Sequence, residues 1–123
     1  MVTDASRGPG LEFLIRQGMQ GDNVDIVAAL LQAELVVPSG GAVEPDFSGF
    51  VPVLYDRDGV PMLAVFTSLE RASSTAKIAP YAVTMTGRDV IRRMPAAHGL
   101  VVNPGHAEGF EMLPPAVQAA AER

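Results

Sequence analysis

The sequence predicts an α+β fold: a single domain with a mixed or antiparallel sheet, in which a central hairpin is packed by helices. Two apolar, β-rich runs, 50–55 and 60–67, flank the tetrapeptide Asp56-Arg57-Asp58-Gly59, and Asp-Gly is a favoured hairpin turn. Segments with apolar residues at helical spacing lie on both sides of these runs. With 123 residues the chain corresponds to one domain, since domains average about 150 residues.

The N-terminal segment is predicted to contain two helices and a short strand. Apolar spacing indicates a helix over 11–20 that ends at Gly21. Asp22 or Asn23 is expected to cap a second helix running to about Glu34. Its apolar positions span an arc of ~160°, which is too wide for a single surface stripe, so this helix should be largely covered. A β-like run over 35–38 and a flexible-looking loop over 40–46 follow.

The hairpin is the most clearly marked local structure. We predict that the runs pair antiparallel, with the turn at Arg57-Asp58. Both faces of the second run are apolar, so that strand should be central and covered on both sides. Pro52 has no N–H to donate, so either the first strand lies at an edge of the sheet or the missing N–H of Pro52 points outward.

The C-terminal half alternates short helices and strands. Ser68 and Thr86 are expected to cap the helices that follow them, because hydroxyl side chains accept bonds from first-turn N–H groups. Strands are expected over 81–85, 100–102 and 110–112. A last helix should open at Pro114-Pro115, since proline suits the first helical turn.

Composition excludes several kinds of site. The absence of cysteine excludes disulfides, thiolate zinc sites, iron–sulfur clusters and a cysteine nucleophile. The formal net charge is −5, whereas nucleic-acid binding needs a cationic surface. No recognised metal-ligand spacing involves the two histidines, and the acidic hairpin tetrapeptide lacks the further oxygen ligands of a calcium loop. We therefore predict no cofactor, no metal and no nucleic-acid partner.

The first ten residues are polar and end in Gly-Pro-Gly, so we predict a flexible arm over 1–10 and one domain over 11–123. No apolar run of a secretory signal is visible there. The longest nearly apolar stretch, 24–37, falls short of the ~20 residues that a membrane span needs. We expect a cytoplasmic protein without a membrane partner.

Three groups of residues occur in a fixed order. The first group runs from Val-Pro-Val-Leu at 51–54 through Val-Phe-Thr-Ser at 65–68. The second is Thr-Gly-Arg-Asp-Val at 86–90, and the third is Gly-Leu-Val-Val-Asn-Pro-Gly at 99–105. Together they resemble the N-terminal domain of the SseB family, the bacterial "enhanced serine sensitivity" proteins, over roughly 11–121. The resemblance implies an α/β-type domain without an established catalytic reaction. Longer family members look two-domain, and a function of their second domain is not transferred.

Five residues are candidates for binding a ligand or partner: Thr67, Ser68, Arg88, Arg92 and Asn103. Thr67 and Ser68 lie where a strand enters a helix, although the Gly-x-Ser-x-Gly context of a nucleophile elbow is missing. Arg88 and Arg92 belong to a small basic helix face that suits an acidic partner or a phosphate. Asn103 is either a turn residue or an amide presented at a strand end.

Two functions follow from these observations. The first is a non-enzymatic binding or protein-interaction module of the SseB N-terminal-domain type. The second is a small hydrolase-like enzyme that uses Ser68 or Thr67 with His98 or His106 as the base. The 48% hydrophobic composition and the proline-containing edge strand predict a protein partner or apolar self-association, with a homodimer as the expected assembly.

Overall fold

The structure is a computed structural model that describes residues 10–21 and 25–123. The elements, in chain order, are α1 Leu11–Met19, α2 Ile26–Gln32, β1 Glu34–Ser39, β2 Leu54–Arg57, β3 Val60–Val65, α3 Leu69–Ala72, a 3₁₀ turn Ser73–Thr75, β4 Tyr81–Thr86, α4 Gly87–Arg93, β5 Gly99–Val102, β6 Phe110–Met112 and α5 Pro114–Ala121. The α+β prediction is confirmed. The predicted arm over 1–10 lies outside the described residues except for Gly10.

The strands form two sheets. Four strands are ordered β2-β3-β5-β6, with β3 parallel to β5 and the other neighbours antiparallel. The other two strands, β1 and β4, pair antiparallel. Single bridges between Val36 and Phe66 and between Ser39 and Pro52 join β1 to the larger sheet. The mixed sheet predicted from the sequence is therefore present, with β1 fastened across one end of the hairpin.

The predicted hairpin is confirmed, but its turn is shifted by one residue. Arg57 pairs with Val60, so the two turn residues are Asp58 and Gly59 rather than Arg57 and Asp58. Both have positive φ, 52° and 89°, which is typical of the two-residue turn that matches strand twist. Asp and Gly tolerate this conformation better than Arg does, and Arg57 therefore stays in the strand.

β3 is central and covered on both faces, as its apolar pattern predicts. Leu63 and Val65 belong to the main core, which α1, α2, α4 and α5 also line. Met62, Ala64 and Phe66 face a second, smaller core on the opposite side. The alternation of side chains along a strand thus divides one apolar run between two cores.

The first strand of the hairpin lies at an edge of the larger sheet, as predicted, but β2 begins only at Leu54 and Pro52 precedes it. Pro52 bridges to Ser39, whose buried hydroxyl accepts the N–H of Val51 at 3.0 Å. The edge of the larger sheet begins two residues later with β2, whose side chains are exposed. The missing N–H of proline is therefore accommodated at a bridge instead of at the outer side of a strand.

The helix boundaries follow from capping. α2 begins after Asp25, whose carboxylate accepts the N–H of Ala28 at 3.0 Å; the predicted caps Asp22 and Asn23 lie outside the described residues. α2 ends at Gln32, so Glu34 belongs to β1 and not to the helix. Ser68 and Thr86 cap α3 and α4 as predicted, accepting from first-turn N–H groups at 3.1 and 3.2 Å.

The first turn of α4 contacts α2 directly. A Cβ at Gly87 would lie 1.9 Å from the carbonyl oxygen of Leu30, so no larger residue fits without movement. The N–H of Gly87 donates to Ala33 at 2.9 Å. This close approach fixes α4 beside the core and determines where the residues that follow it lie.

Among the residues that the structure describes, none of the helices has the length and apolar character that crossing a membrane requires.

Candidate functional site

The carboxyl ends of β3 and β5 lie at the same end of the sheet because the two strands are parallel. Asn103 follows β5 directly, and its side-chain oxygen accepts the N–H of Thr67 at 2.9 Å. Its amide nitrogen donates to the Thr67 hydroxyl at 3.0 Å and to the carbonyl of Glu108 at 2.8 Å. Asn103 is 1% exposed and has φ of 54°, a conformation that Asn tolerates.

A chain of charged groups extends from Thr67. Its hydroxyl donates to the carboxylate of Glu12, and Arg71 binds both oxygens of that carboxylate at 3.0 and 3.1 Å. Arg71 also donates to Glu108 at 2.9 Å, and Arg16 approaches Glu108 at 3.4 Å. We call these residues the polar cluster: Glu12, Arg16, Thr67, Arg71, Asn103 and Glu108.

The polar cluster keeps its carboxylates ionised. The hydrogen bond from Thr67 lowers the pKa of Glu12 below its usual value, against the opposing effect of burial and with further help from Arg71. Burial is the largest single effect on Glu108 and would raise its pKa, but the hydrogen bonds from Arg71, its own backbone and Arg16, together with the charge of Arg71, outweigh burial and lower the pKa. With two glutamates against two arginines, the cluster is neutral overall and bonded within itself.

Three of the five predicted site residues come together here, and two do not. Thr67 and Asn103 belong to the polar cluster, and Ser68 is the next residue along the chain. Arg88 and Arg92 lie on α4 and form no hydrogen bond or ion pair with any side chain that the structure describes. The binding role assigned to all five stays a prediction.

The hydroxyls of the hydrolase hypothesis have partners other than histidine. Ser68 accepts the N–H of Arg71 as a helix cap. The ring of His98 contacts the carbonyl of Ala96 at 3.2 Å, whereas His106 packs edge-on against Phe66 with 6.0 Å between ring centres. Within residues 10–21 and 25–123, no hydrogen bond joins either histidine to Thr67 or Ser68.

A second region, which sequence reasoning missed, is a cleft of about 320 Å³ beside the main core. We call it the apolar cleft. It is lined by residues from β1 to β4, from α4 and from the two loops after β1 and α4: Val37, Phe47, Phe50, Pro52, Leu54, Leu63, Met85, Val90, Arg93, Met94, Pro95 and His98. No motif marks these residues, because they are mostly apolar and scattered over seven segments of the chain.

Phe47 is the most unusual residue of the apolar cleft. Its φ is 68°, and the left-handed conformation costs a bulky residue roughly 1–2 kcal/mol. Its ring packs edge-on against Phe50 with 6.3 Å between centres, and the guanidinium of Arg93 lies 4.1 Å from its centre. A strained aromatic residue at the edge of a cavity is the one local signal that separates this region from ordinary core.

A shallower groove lies on the other side of Phe47 and Arg93. It is bordered by the loop over 43–47, by β4 and by two acidic residues, Glu44 and Asp89. Neither carboxylate is within ion-pair distance of a basic group among the described residues. That part of the chain also contains no group of three or more His, Asp or Glu residues placed to hold a metal ion.

The comparison with protein families gives one match, the SseB protein N-terminal domain, over residues 14–119. No curated protein and no solved structure matches the chain significantly. The matched range begins inside α1 and ends inside α5, so it includes every strand as well as both regions described above. The chain belongs to the SseB N-terminal domain family.

Proposed function

We propose that this chain is a non-enzymatic binding module and that its binding site is the apolar cleft. The observation that supports the proposal most directly is that one region has all its side chains bonded to each other, whereas the other has open space. The side chains of the polar cluster bond to each other, whereas the apolar cleft leaves about 320 Å³ of space between apolar side chains next to the core.

Size and lining both support this assignment. Small-molecule sites are concave, measure roughly 300–1,000 Å³ and are lined mainly by apolar and aromatic groups with a few polar ones. The apolar cleft has ten apolar or proline residues and two polar ones, Arg93 and His98. Folding normally fills a space of this kind, because empty volume beside a core costs contact energy. The strained backbone of Phe47 also supports a functional reason for the shape of this region.

The polar cluster has a different role in this proposal. Arg71 and Thr67 follow β3, whereas Glu12 and Arg16 belong to α1 and Glu108 precedes β6. Their bonds therefore fasten α1 and the loop over 103–109 to the carboxyl ends of the parallel strands. The hydroxyls that the hydrolase hypothesis would use, those of Thr67 and Ser68, take part in these bonds and in the cap of α3.

The test is a titration with a neutral apolar probe, octanol, followed by NMR of methyl-labelled methionines. Met85 and Met94 line the apolar cleft, whereas Met62 and Met112 are buried elsewhere in the two cores and Met19 is 62% exposed on α1. We expect saturable shifts of the Met85 and Met94 methyl signals and much smaller changes for the other three.

Two neighbouring residues of β2 provide a matched pair of variants. Leu54 and Tyr55 are 46% and 43% exposed, but alternation points them to opposite faces and only Leu54 lines the apolar cleft. Leu54→Trp should block the titration by filling the cleft, and Tyr55→Trp should leave it unchanged. Equal shifts at all five methionines, or saturable binding that persists in L54W, would contradict the proposal.

The expected assembly stays a prediction. β2 is an edge strand of the larger sheet and carries two exposed apolar residues, Leu54 and Tyr55, which supports contact with a protein partner or a second copy. Arg88 and Arg92 offer a basic face to an acidic partner. Light scattering over a concentration series distinguishes a homodimer from a monomer, and added salt separates an apolar contact from an ionic one.

A further inference from the structure

The ionisable side chains that line the apolar cleft are basic. Among its lining residues only Arg93 and His98 are ionisable, and none is acidic. The chain as a whole has a formal charge of −5, with 14 acidic residues against 9 basic ones. A cleft that excludes carboxylates and includes an arginine therefore differs in sign from the rest of the molecule, and such a difference favours an anionic group on the ligand.

Arg93 is available for an anion. Its side chain is exposed, and it forms neither a hydrogen bond nor an ion pair with any described residue. The face of Phe47, 4.1 Å from the guanidinium carbon, holds the group beside the cleft. The guanidinium has five N–H donors, and none of them bonds to a described residue, so two can bind a carboxylate in a bidentate manner.

His98 is placed differently. Its Nδ1 lies 3.2 Å from the carbonyl oxygen of Ala96, so in the neutral ring this nitrogen carries the proton and donates. The other ring nitrogen is then an acceptor and offers nothing to an anion. When His98 is neutral, Arg93 is therefore the anion-binding group of the cleft.

The surroundings of Arg93 favour a single negative charge over several. Glu44 and Asp89 line the groove on its other side, where they reduce the positive potential that a phosphate or a polyanion would need. A single carboxylate at Arg93 meets less repulsion from these two acids than a phosphate or a polyanion would. The charge pattern thus fits a monoanion with an apolar body.

We propose that the apolar cleft binds a small monocarboxylate with an apolar tail, a proposal that rests on the binding function assigned above. The tail lies against Leu63 and Val90, which are 8% and 3% exposed, and the carboxylate pairs with Arg93. Strands, α4 and two loops surround the cleft, so it accepts the end of a tail rather than the length of an extended peptide.

The test compares octanoate, octanol and octylamine at low salt and about pH 8 by the methionine-methyl titration. Each of these probes has eight carbon atoms, and they differ in the charge of the head group. We expect octanoate to bind with a dissociation constant about fivefold lower than that of octanol, which is the size of a partly exposed ion pair, and octylamine to bind more weakly than octanol. Added salt should reduce the preference.

Arg93→Met keeps a long side chain against Phe47 and removes the charge. In this variant octanoate and octanol should bind within about twofold of each other. Lys77→Met is the control, because it removes the same charge from an exposed residue that does not line the cleft. It should retain the preference for octanoate.

The outcomes separate the two proposals. Equal binding of octanoate and octanol to the unmodified protein, or a preference that survives in R93M, overturns the carboxylate assignment and leaves the binding cleft in place. A peptide with an apolar C-terminal residue that binds more tightly than octanoate also overturns the small-molecule assignment. Failure of all three probes to bind overturns the proposed function itself.

Discussion

The polar cluster and the apolar cleft lie at different places in one small domain and differ in how far their side chains are bonded to one another. In the polar cluster, Asn103 is 1% exposed and forms three side-chain hydrogen bonds, and Arg71 bridges two carboxylates. In the apolar cleft, the guanidinium of Arg93 has only the ring of Phe47 beneath it, and about 320 Å³ is left open. The side chains of one region bond to each other, whereas those of the other leave space between them.

This difference shows why residues that suggest chemistry in a sequence do not have to perform it. Thr67, Ser68 and Asn103 are polar residues at strand ends, where active-site residues are often found. Here buried polar groups must find partners, and these residues supply them to each other and to the backbone. The apolar cleft has the opposite property, because its lining residues resemble ordinary core residues until the fold leaves space between them.

Among the substitutions that test the role of the polar cluster, Asn103→Ala is expected to have the largest effect on stability. The substitution leaves the Thr67 N–H and the Glu108 carbonyl without their partner and places alanine at positive φ, so the free energy of unfolding should fall by about 3 kcal/mol. Urea denaturation measures the loss. Asn103→Gly also loses the hydrogen bonds, but glycine adopts positive φ without strain, so this variant should be about 1 kcal/mol more stable than Asn103→Ala. A loss below 1 kcal/mol in both variants would mean that the polar cluster does not brace the fold.

A smaller effect is expected from Glu12→Gln. The variant loses the charge that Arg71 binds in a half-buried site, which should cost about 1 kcal/mol at neutral pH. Because the pKa of Glu12 is lowered in the folded state, its contribution is present above the ordinary carboxyl pKa of 4.5 and is lost as the pH falls through the folded value.

The stability difference between the wild type and E12Q should therefore be constant above about pH 5 and shrink in acid. Glu111→Gln is the control, since Glu111 pairs with Arg57 at an exposed site and its removal should cost less. An E12Q difference that grows as the pH falls would contradict the assignment of Glu12 as an ionised partner of Arg71.

The caps of α3 and α4 give effects of about the same size as Glu12→Gln. Ser68→Ala and Thr86→Ala should each cost about 1 kcal/mol, because each removes the acceptor of one first-turn N–H. Ser68→Asn keeps a good cap and removes the hydroxyl, so its stability should match that of the wild type.

The Ser68 variants also separate a cap from a nucleophile. A serine-directed fluorophosphonate should label neither the wild type nor S68N if Ser68 acts as a cap alone. Labelling of the wild type that S68A and S68N both lose would support the hydrolase hypothesis instead.

Most of the fold could be predicted because its signals are local. The Asp-Gly turn, the two apolar faces of β3 and the hydroxyl caps each depend on residues within a few positions of each other. Details that depend on distant partners could not be predicted. Pro52 lies opposite Ser39 because β1 crosses the end of the hairpin, and no local pattern specifies that pairing.

The candidate site also has a part that local sequence signals predict and a part that they do not. Strand ends mark Thr67 and Asn103 in the sequence, but their bonds to Glu12 and Glu108 depend on the parallel pairing of β3 with β5. The apolar cleft has no local signal except the positive φ of Phe47, which becomes visible only in the structure. Its lining comes from segments between residues 37 and 98, so it exists only once the chain has folded.

The most direct test of the central claim is one octanoate titration in which both regions are observed together by NMR. The methyl signals of Met85 and Met94 report on the apolar cleft, and the backbone N–H signals of Thr67 and Asn103 report on the polar cluster. The account predicts saturable shifts at the two methionines while the two N–H signals stay in place. Shifts at Thr67 and Asn103 with unmoved Met85 and Met94 signals would contradict it.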